Sequence, residues 1–287
     1  MNLLSIDLED WYTSYESSEI PVSRWASLES RIEYNTMTIL DFLECHGQAA
    51  TFYVLGWVAE RHPGLIRRIA AMGHEIGYHS WDHVRPLRQG SEAFGRDLER
   101  GVGAIASACG HRPLHYRAPG FMPGNVIGWM IPRLIRHGFA SSSSFQAWSR
   151  LGRFIVPGKP FYFHTPEGSL PEFPLHPYRI AGLQLHYSGG GYFRMLPRLL
   201  LLRLYRRSNY HITYFHPRDF DPRVPHTSMQ PVYRYLMNRL GNASTIPKLS
   251  TLLKEHKFIT TGEAVKELAS QGENQIIQTV ARQAVKM

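Results

Sequence analysis

The first half of the chain alternates short apolar runs with longer stretches of helical period. Leu3 to Asp7 is an apolar run ending in acids, the pattern of a buried strand. Arg31 to His46 carries Ile32, Ile39, Leu40 and Leu43 at helical spacing and stops at Gly47, a residue suited to the left-handed turn that ends a helix. Ala49 to Leu55, rich in Phe, Tyr, Val and Thr, predicts a second strand. Val58 to Met72 predicts a helix stopped by Gly73, and Glu75 to His79 a third strand. A further round runs from a helix over Ser91 to Gly110 into a short strand at Leu114 to Arg117, followed by a helix at Val126 to His137. This alternation points to parallel strands linked by helices, an α/β sheet or barrel, in which reactive groups gather at the C-terminal strand ends.

From about Arg150 to Arg194 the pattern changes to Pro, Gly, His and aromatic residues without helical period, which reads as a loop-rich insertion with short strands, a rim over the site. Periodic segments resume at His211 to His216, Ile246 to Glu255 and Phe258 to Leu268. The expected organisation is therefore one catalytic domain over 1–270 with an insertion at 150–194, then a tail over 271–287 that reads as a loosely packed helix. Met195 to Tyr205 holds the longest leucine run, interrupted by Arg198 and Arg203. It reads as a core-packed helix with a charged end, and alternatively as an amphipathic helix resting on an anionic membrane surface.

Composition narrows these readings little. At 43% hydrophobic, 287 residues can bury a large core, and the formal charge of +9 suits an anionic surface or substrate. No helix-turn-helix, zinc-finger or aromatic RNA-binding signature accompanies the charge, so nucleic acid is not an expected partner. Two cysteines, Cys45 and Cys109, make no disulfide framework and fit a reducing compartment. The N-terminus runs directly into acidic residues, and no stretch approaches the ~20 apolar residues of a membrane span. The expectation is a cytoplasmic protein, with peripheral association at the inner membrane face as the alternative.

Reactive side chains fall at four predicted strand ends. Asp7, Glu9 and Asp10 follow the first, His79 and His83 the third, Arg117 the next, and His216 a late one. His79 and His83, four residues apart, suit one divalent cation, and two His with one carboxylate leave a position open for water, the arrangement of a catalytic rather than a structural zinc. Taken alone the pair also admits the reading of two solvated loop histidines. If a metal binds, one acid of the first cluster is a ligand and another a general base. Arg117 then pairs with the base, where it is otherwise a surface cation. His216 is a candidate to protonate a leaving amine, or a satisfied strand-end histidine.

The set S-I-D-L-E-D-W, A-T-F-Y-V-L-G-W-V-A-E-R-H-P, G-H-E-I-G-Y-H-S-W-D-H, Y-R-A-P-G, E-F-P and Y-F-H-P resembles the polysaccharide deacetylases of the NodB-homology type (carbohydrate esterase family 4-like), nearest the branch found with exopolysaccharide-synthesis genes. The resemblance covers about Leu3 to Val265. It implies a distorted parallel (β/α) barrel and metal-dependent removal of N-acetyl groups from an amino-sugar polysaccharide or its lipid-linked precursor. Zn is the expected metal, with Co or Ni as alternatives. By matched motif it makes Asp7 the base, His79 and His83 metal ligands, Arg117 the partner of the base, His216 the acid and the Gly120 backbone N–H a donor to the oxyanion. Two departures stand out. Asp7 is followed by Leu8 rather than a second aspartate, so the third ligand falls to Glu9 or Asp10, with Glu9 preferred. Ser141 stands where close relatives carry an aspartate, which puts the support of His216 in question. Tyr192, in the Gly-rich segment Ser188 to Phe193, is a candidate to line the sugar site, with a flexible turn as the commoner explanation of such a segment. The rival functions are hydrolysis of another C–N bond, such as a formamide or cyclic ureide, and a catalytically weak glycan-binding assembly partner.

Overall fold

The structure, a computed structural model, describes residues 1–13, 20–121, 126–152, 154–180, 183–229 and 231–270. The expected tail helix over 271–287 lies outside them. Among the described residues eight strands form one mixed sheet: β1 Asn2–Leu8, β2 Thr51–Val54, β3 Glu75–Tyr78, β4 His115–Tyr116, β5 Ser141–Ser142, β6 Phe161–Thr165, β7 Gly168–Glu172 and β8 His211–Phe215. Their order is β8-β1-β2-β3-β4-β5-β7-β6, parallel throughout except for the antiparallel β6–β7 pair. The sheet curls into an open barrel with helices outside it, as the alternation predicts.

The helices fill the predicted positions with local adjustments. Ile32–Cys45, Ser91–Cys109 and Ile127–Arg136 match their sequence periods, and Gly110 closes the second of these in the left-handed conformation (φ 85°). The single helix expected over Val58 to Met72 is two, Gly56–Arg61 and Pro63–Ala71. Pro63 removes an amide donor and pushes His62 out of the helical region, to φ −125° and ψ 52°. Likewise Pro197 splits Met195 to Tyr205, leaving Gly190–Met195 and Arg198–Tyr205. In the latter, Leu201, Leu202, Leu204 and Tyr205 are buried, as a core-packed helix requires, but Leu199 is exposed. Among the described residues no helix is long and apolar enough to cross a membrane.

The stretch 150–194 is more than a rim. It supplies β6 and β7, whose Phe161, Phe163 and Leu170 enter the main core, along with the small ribbons Arg150–Leu151/Phe154–Ile155 and Tyr178–Ile180/Leu183–Leu185. Its strands are too short, and too broken by turn residues, to give a readable period.

Alternation along the strands sorts the core. Leu4, Ile6 and Leu8 pack outward against the helices, while Leu3 and Ile212 belong to a second cluster inside the barrel. A period of two therefore turns Ser5 and Asp7, Glu75 and Gly77, His115 and Arg117, and Tyr214 and His216 toward the interior. A Cβ on Gly77 would sit 2.7 Å from the Tyr53 ring, so the bare backbone makes room for that ring.

Candidate active site

Inside the barrel the polar residues form two layers. In the lower one, toward the strand N-termini, Glu75 accepts from Thr51 Oγ1 (2.6 Å) and the Gly262 amide, and lies 3.2 Å from His115 Nε2. His115 Nδ1 in turn bonds the Ser141 hydroxyl at 2.8 Å. Ser141 is thus occupied below the candidate site, and the departure at this position does not bear on His216.

In the upper layer Arg117, fully buried, donates from Nη1 to Asp7 Oδ1 (2.7 Å) and Ser5 Oγ (2.8 Å) and from Nη2 to Ser143 Oγ (3.2 Å). Its guanidinium carbon lies 4.0 Å from the centroid of the Tyr53 ring. A buried, multiply held cation over an aromatic face fixes the orientation of the Asp7 carboxylate.

Glu9, His79 and His83 come together so that one ligand atom from each lies within 4.8 Å of the others. His79 follows β3, and its Nδ1 bonds the Arg117 carbonyl oxygen at 2.8 Å. That contact makes Nδ1 the donor and leaves Nε2 as the free lone pair. The turn to His83 passes through left-handed backbone at Ser80 (φ 71°) and His83 (φ 62°), an uncommon conformation for side chains of this kind. Asp97 holds the turn by accepting from the Trp81 amide (3.0 Å) and the Tyr78 hydroxyl, and burial pushes its carboxyl up to about 6.

Burial alone would raise Glu9, but His83, His216 and Arg218 outweigh it and hold the carboxylate well below its usual range. Burial moves His83 the other way, to about 4, so its imidazole is neutral, as a metal ligand must be. Glu9 Oε2 is buried and, among the described residues, has no hydrogen-bond partner. An ionised oxygen so placed beside His79 and His83 is poorly satisfied by protein alone, and the donor set of two His and one carboxylate fits a divalent cation.

Asp10 is not part of this cluster. Its carboxylate accepts from the Trp11 amide (2.8 Å), Ser30 Oγ (2.7 Å) and the Arg31 amide (3.0 Å), tying the chain after β1 to the start of Ile32–Cys45. Gly120 is exposed beyond β4 with φ 74°.

His216 follows β8. Its Nε2 lies 3.1 Å from Glu9 Oε1 and its Nδ1 3.1 Å from Asp219 Oδ2, which also accepts from the His216 amide at 2.8 Å. Burial and Arg218 lower its affinity for a proton, but Glu9 and Asp219 prevail and raise it to about 9. Asp219 escaped the sequence reading. Its signal was the H-P-R-D run, an acid three residues after a strand-end histidine in a proline-started turn. Asp219 is backed by Arg194, whose Nε lies 3.2 Å from Oδ1. Arg194 directly follows the Gly-rich segment, which packs so closely on β8 that a Cβ at Gly189 would sit 1.9 Å from the Tyr214 carbonyl oxygen. That segment thus supports the site from behind, while Tyr192 is exposed near His186. Glu172, from E-F-P, accepts the amides of Ser144 (2.7 Å) and Phe145 (3.0 Å), and burial raises it to about 7.

Residues 28–124 match the polysaccharide deacetylase family model, and residues 141–266 match a domain of unknown function, DUF3473. A peptidoglycan-N-acetylglucosamine deacetylase of Listeria monocytogenes is 34% identical over 84 residues, 29% of this chain and 18% of that protein. A chitooligosaccharide deacetylase of Rhizobium leguminosarum bv. trifolii is 43% identical over 74 residues, 26% of this chain and 34% of the relative. The chain therefore spans about a third or less of these relatives' lengths. In fold it is similar to a putative polysaccharide deacetylase from Mycobacterium smegmatis (TM-score 0.65, 19% identity, 94% of this chain and 90% of the other). It is also similar to a PuuE allantoinase (TM-score 0.60, 13% identity, 95% and 91%). Residues 28–124 thus resemble the polysaccharide deacetylases, and the chain shares its barrel fold with a solved structure of 19% sequence identity.

Proposed function

We propose that this protein hydrolyses N-acetyl groups on an amino-sugar glycan, with Glu9, His79 and His83 holding a divalent metal ion, Zn²⁺ first among the candidates. The observation that carries the reading is the orphaned, ionised Glu9 oxygen beside two imidazoles at the barrel mouth, with an Asp–Arg pair and an Asp-backed histidine nearby. Bound there, a divalent ion supplies Lewis acidity toward the acetamide and lowers the pKa of a water.

The chain's own groups do the proton work. Asp7, pinned by Arg117, takes a proton from the attacking water. His216, held through Nδ1 by Asp219, donates from Nε2 to the departing amine. Acetate and a free amino sugar result. The Gly120 backbone N–H is the proposed oxyanion donor and Tyr192 the proposed sugar contact. The deacetylase names of the relatives support a glycan substrate. A glycan of exopolysaccharide synthesis, as polymer or lipid-linked precursor handled on the cytoplasmic side, is the finer proposal.

The test is acetate release from N-acetylated chitooligosaccharides and from lipid-linked glycan, beside a panel of formamides and cyclic ureides. Each runs after chelation and again with Zn²⁺, Co²⁺ or Ni²⁺ restored. Metal-dependent acetate release that vanishes in His79→Ala is expected. A folded protein that binds no metal and releases no acetate from any glycan overturns the reading.

A further inference from the structure

The charge of this chain is concentrated in one stretch. Between Phe173 and Lys254 there are twelve Arg and Lys residues and two acids, Asp219 and Asp221, whereas the rest of the chain carries twenty basic and twenty-one acidic residues. Both acids of the stretch are buried, and both are paired with arginines, Asp219 with Arg194 and Asp221 with Arg31. Whatever these 82 residues present to solvent is therefore basic or neutral along the whole stretch.

The same stretch exposes apolar side chains in a pattern. The helix Val232–Arg239 has no buried residue. Val232, Tyr233, Leu236 and Met237, with Leu240 just past its end, recur at i, i+1, i+4, i+5 and i+8, which is one stripe of a helix, and all five are 44–62% exposed. Such a stripe ordinarily faces a core; here it faces solvent. Met195 and Leu199 extend the exposed apolar surface on the neighbouring segment, and Leu199 shares its helix face with Arg203, four residues on and also exposed. Arg194 joins the two segments, because its guanidinium donates to the Met237 and Asn238 carbonyls.

We infer that this face docks on an anionic lipid bilayer, with the stripe Val232–Leu240 and Leu199 entering the interfacial region and the arginines on the headgroups. The charge chooses the occupant. A two-fold homodimer through this face would bring one basic surface onto another. A nucleic acid would match the charge but not five exposed apolar side chains. An anionic membrane matches both. The docked face lies close to the chemistry, since Arg194 also pairs with Asp219, which holds His216. A glycan carried on a lipid would then reach the barrel mouth from the membrane side. That last step rests on the deacetylase reading, whereas the docking does not.

The experiment is flotation of the full chain with vesicles of equimolar phosphatidylglycerol and phosphatidylcholine, against phosphatidylcholine alone, with light scattering in parallel. Binding to the anionic vesicles only, released by about 0.5 M salt, is expected. An arginine near such a surface is worth about fivefold in partition, so Arg198→Gln/Arg203→Gln/Arg239→Gln loses about a hundredfold. Leu199→Ser/Leu236→Ser/Leu240→Ser loses at least tenfold by removing the inserted apolar area. Leu114→Ser, at an exposed leucine outside the stretch, loses nothing. Circular dichroism and melting show whether each variant is folded. Equal binding to both vesicle types, a loss in Leu114→Ser equal to that of the stripe, or a dimer that the stripe variant dissolves without any vesicle binding overturns the proposal. Vesicle binding needs no turnover, so it stands or falls independently of the deacetylase assay.

Discussion

The Asp7–Arg117 pair offers the most direct test of how the site is built. Arg117→Met keeps the length and apolar bulk of the side chain while removing the charge and three hydrogen bonds, to Ser5, Asp7 and Ser143. Both partners are buried, at 3% and 0% exposure, so solvent cannot replace the lost cation. Removing one member of a buried pair costs about 3–5 kcal/mol, chiefly because the other charge is left uncompensated. At about 2–4 °C per kcal/mol for a domain of this order, the melting temperature falls by roughly 6–20 °C. The second change, Asp7→Asn, removes that stranded charge. Arg117→Met/Asp7→Asn is therefore more stable than Arg117→Met alone, and urea unfolding of all four proteins gives a coupling energy of about 2 kcal/mol or more. Additive costs, with coupling below about 0.5 kcal/mol, would show that Arg117 serves as packing over Tyr53 and would refute the claim that it positions the base.

The remaining predictions separate residues that sit side by side in the sequence. Glu9→Gln weakens Zn²⁺ binding by at least a hundredfold in calorimetry, whereas Asp10→Asn leaves it within about threefold and lowers stability by about 1.5–3 kcal/mol through its bonds to Trp11, Ser30 and Arg31. Asp219→Asn lowers kcat about ten- to a hundredfold with KM little changed, and Ser141→Ala leaves both unchanged while costing about 1 kcal/mol of stability. Glu172, raised to about 7 from an ordinary value of 4.5, keeps its proton in the folded state while the unfolded chain gives it up. Its contribution is thus fully present below about pH 4.5 and is lost as pH rises through 7, by up to about 3 kcal/mol. Stability curves of Glu172→Gln, measured from pH 4.5 to 8, should be flatter than those of the unmodified protein, and parallel curves would dismiss this account.

Much of the site was readable from the residues because strand ends and helix stops are local. Asp7, His79, Arg117 and His216 each close a short apolar run, and a barrel gathers such ends on one face. The choice between Glu9 and Asp10 was not local. Both are buried and adjacent, and only the positions of Ser30 and Arg31, some twenty residues on, assign Asp10 its partners. The departure at Ser141 looked like a loss for His216 because sequence does not show depth. In the barrel Ser141 lies in the lower layer against His115, and the support of His216 comes from Asp219. The Gly-rich segment was read as a sugar contact through Tyr192, and its structural use is also to carry Arg194 behind Asp219.

The sequence by itself determined the alternation of strand and helix, the residues at the strand ends and the excess of positive charge, because each follows from periodicity, turn residues or a count along the chain. Only the tertiary structure decided which carboxylate joins His79 and His83, what holds His216, and that β6 and β7 belong to the barrel. It also decided that an apolar helical stripe faces outward. These depend on contacts between residues far apart in the chain, where burial and the competition for a limited set of hydrogen-bond partners, rather than local preference, fix the outcome.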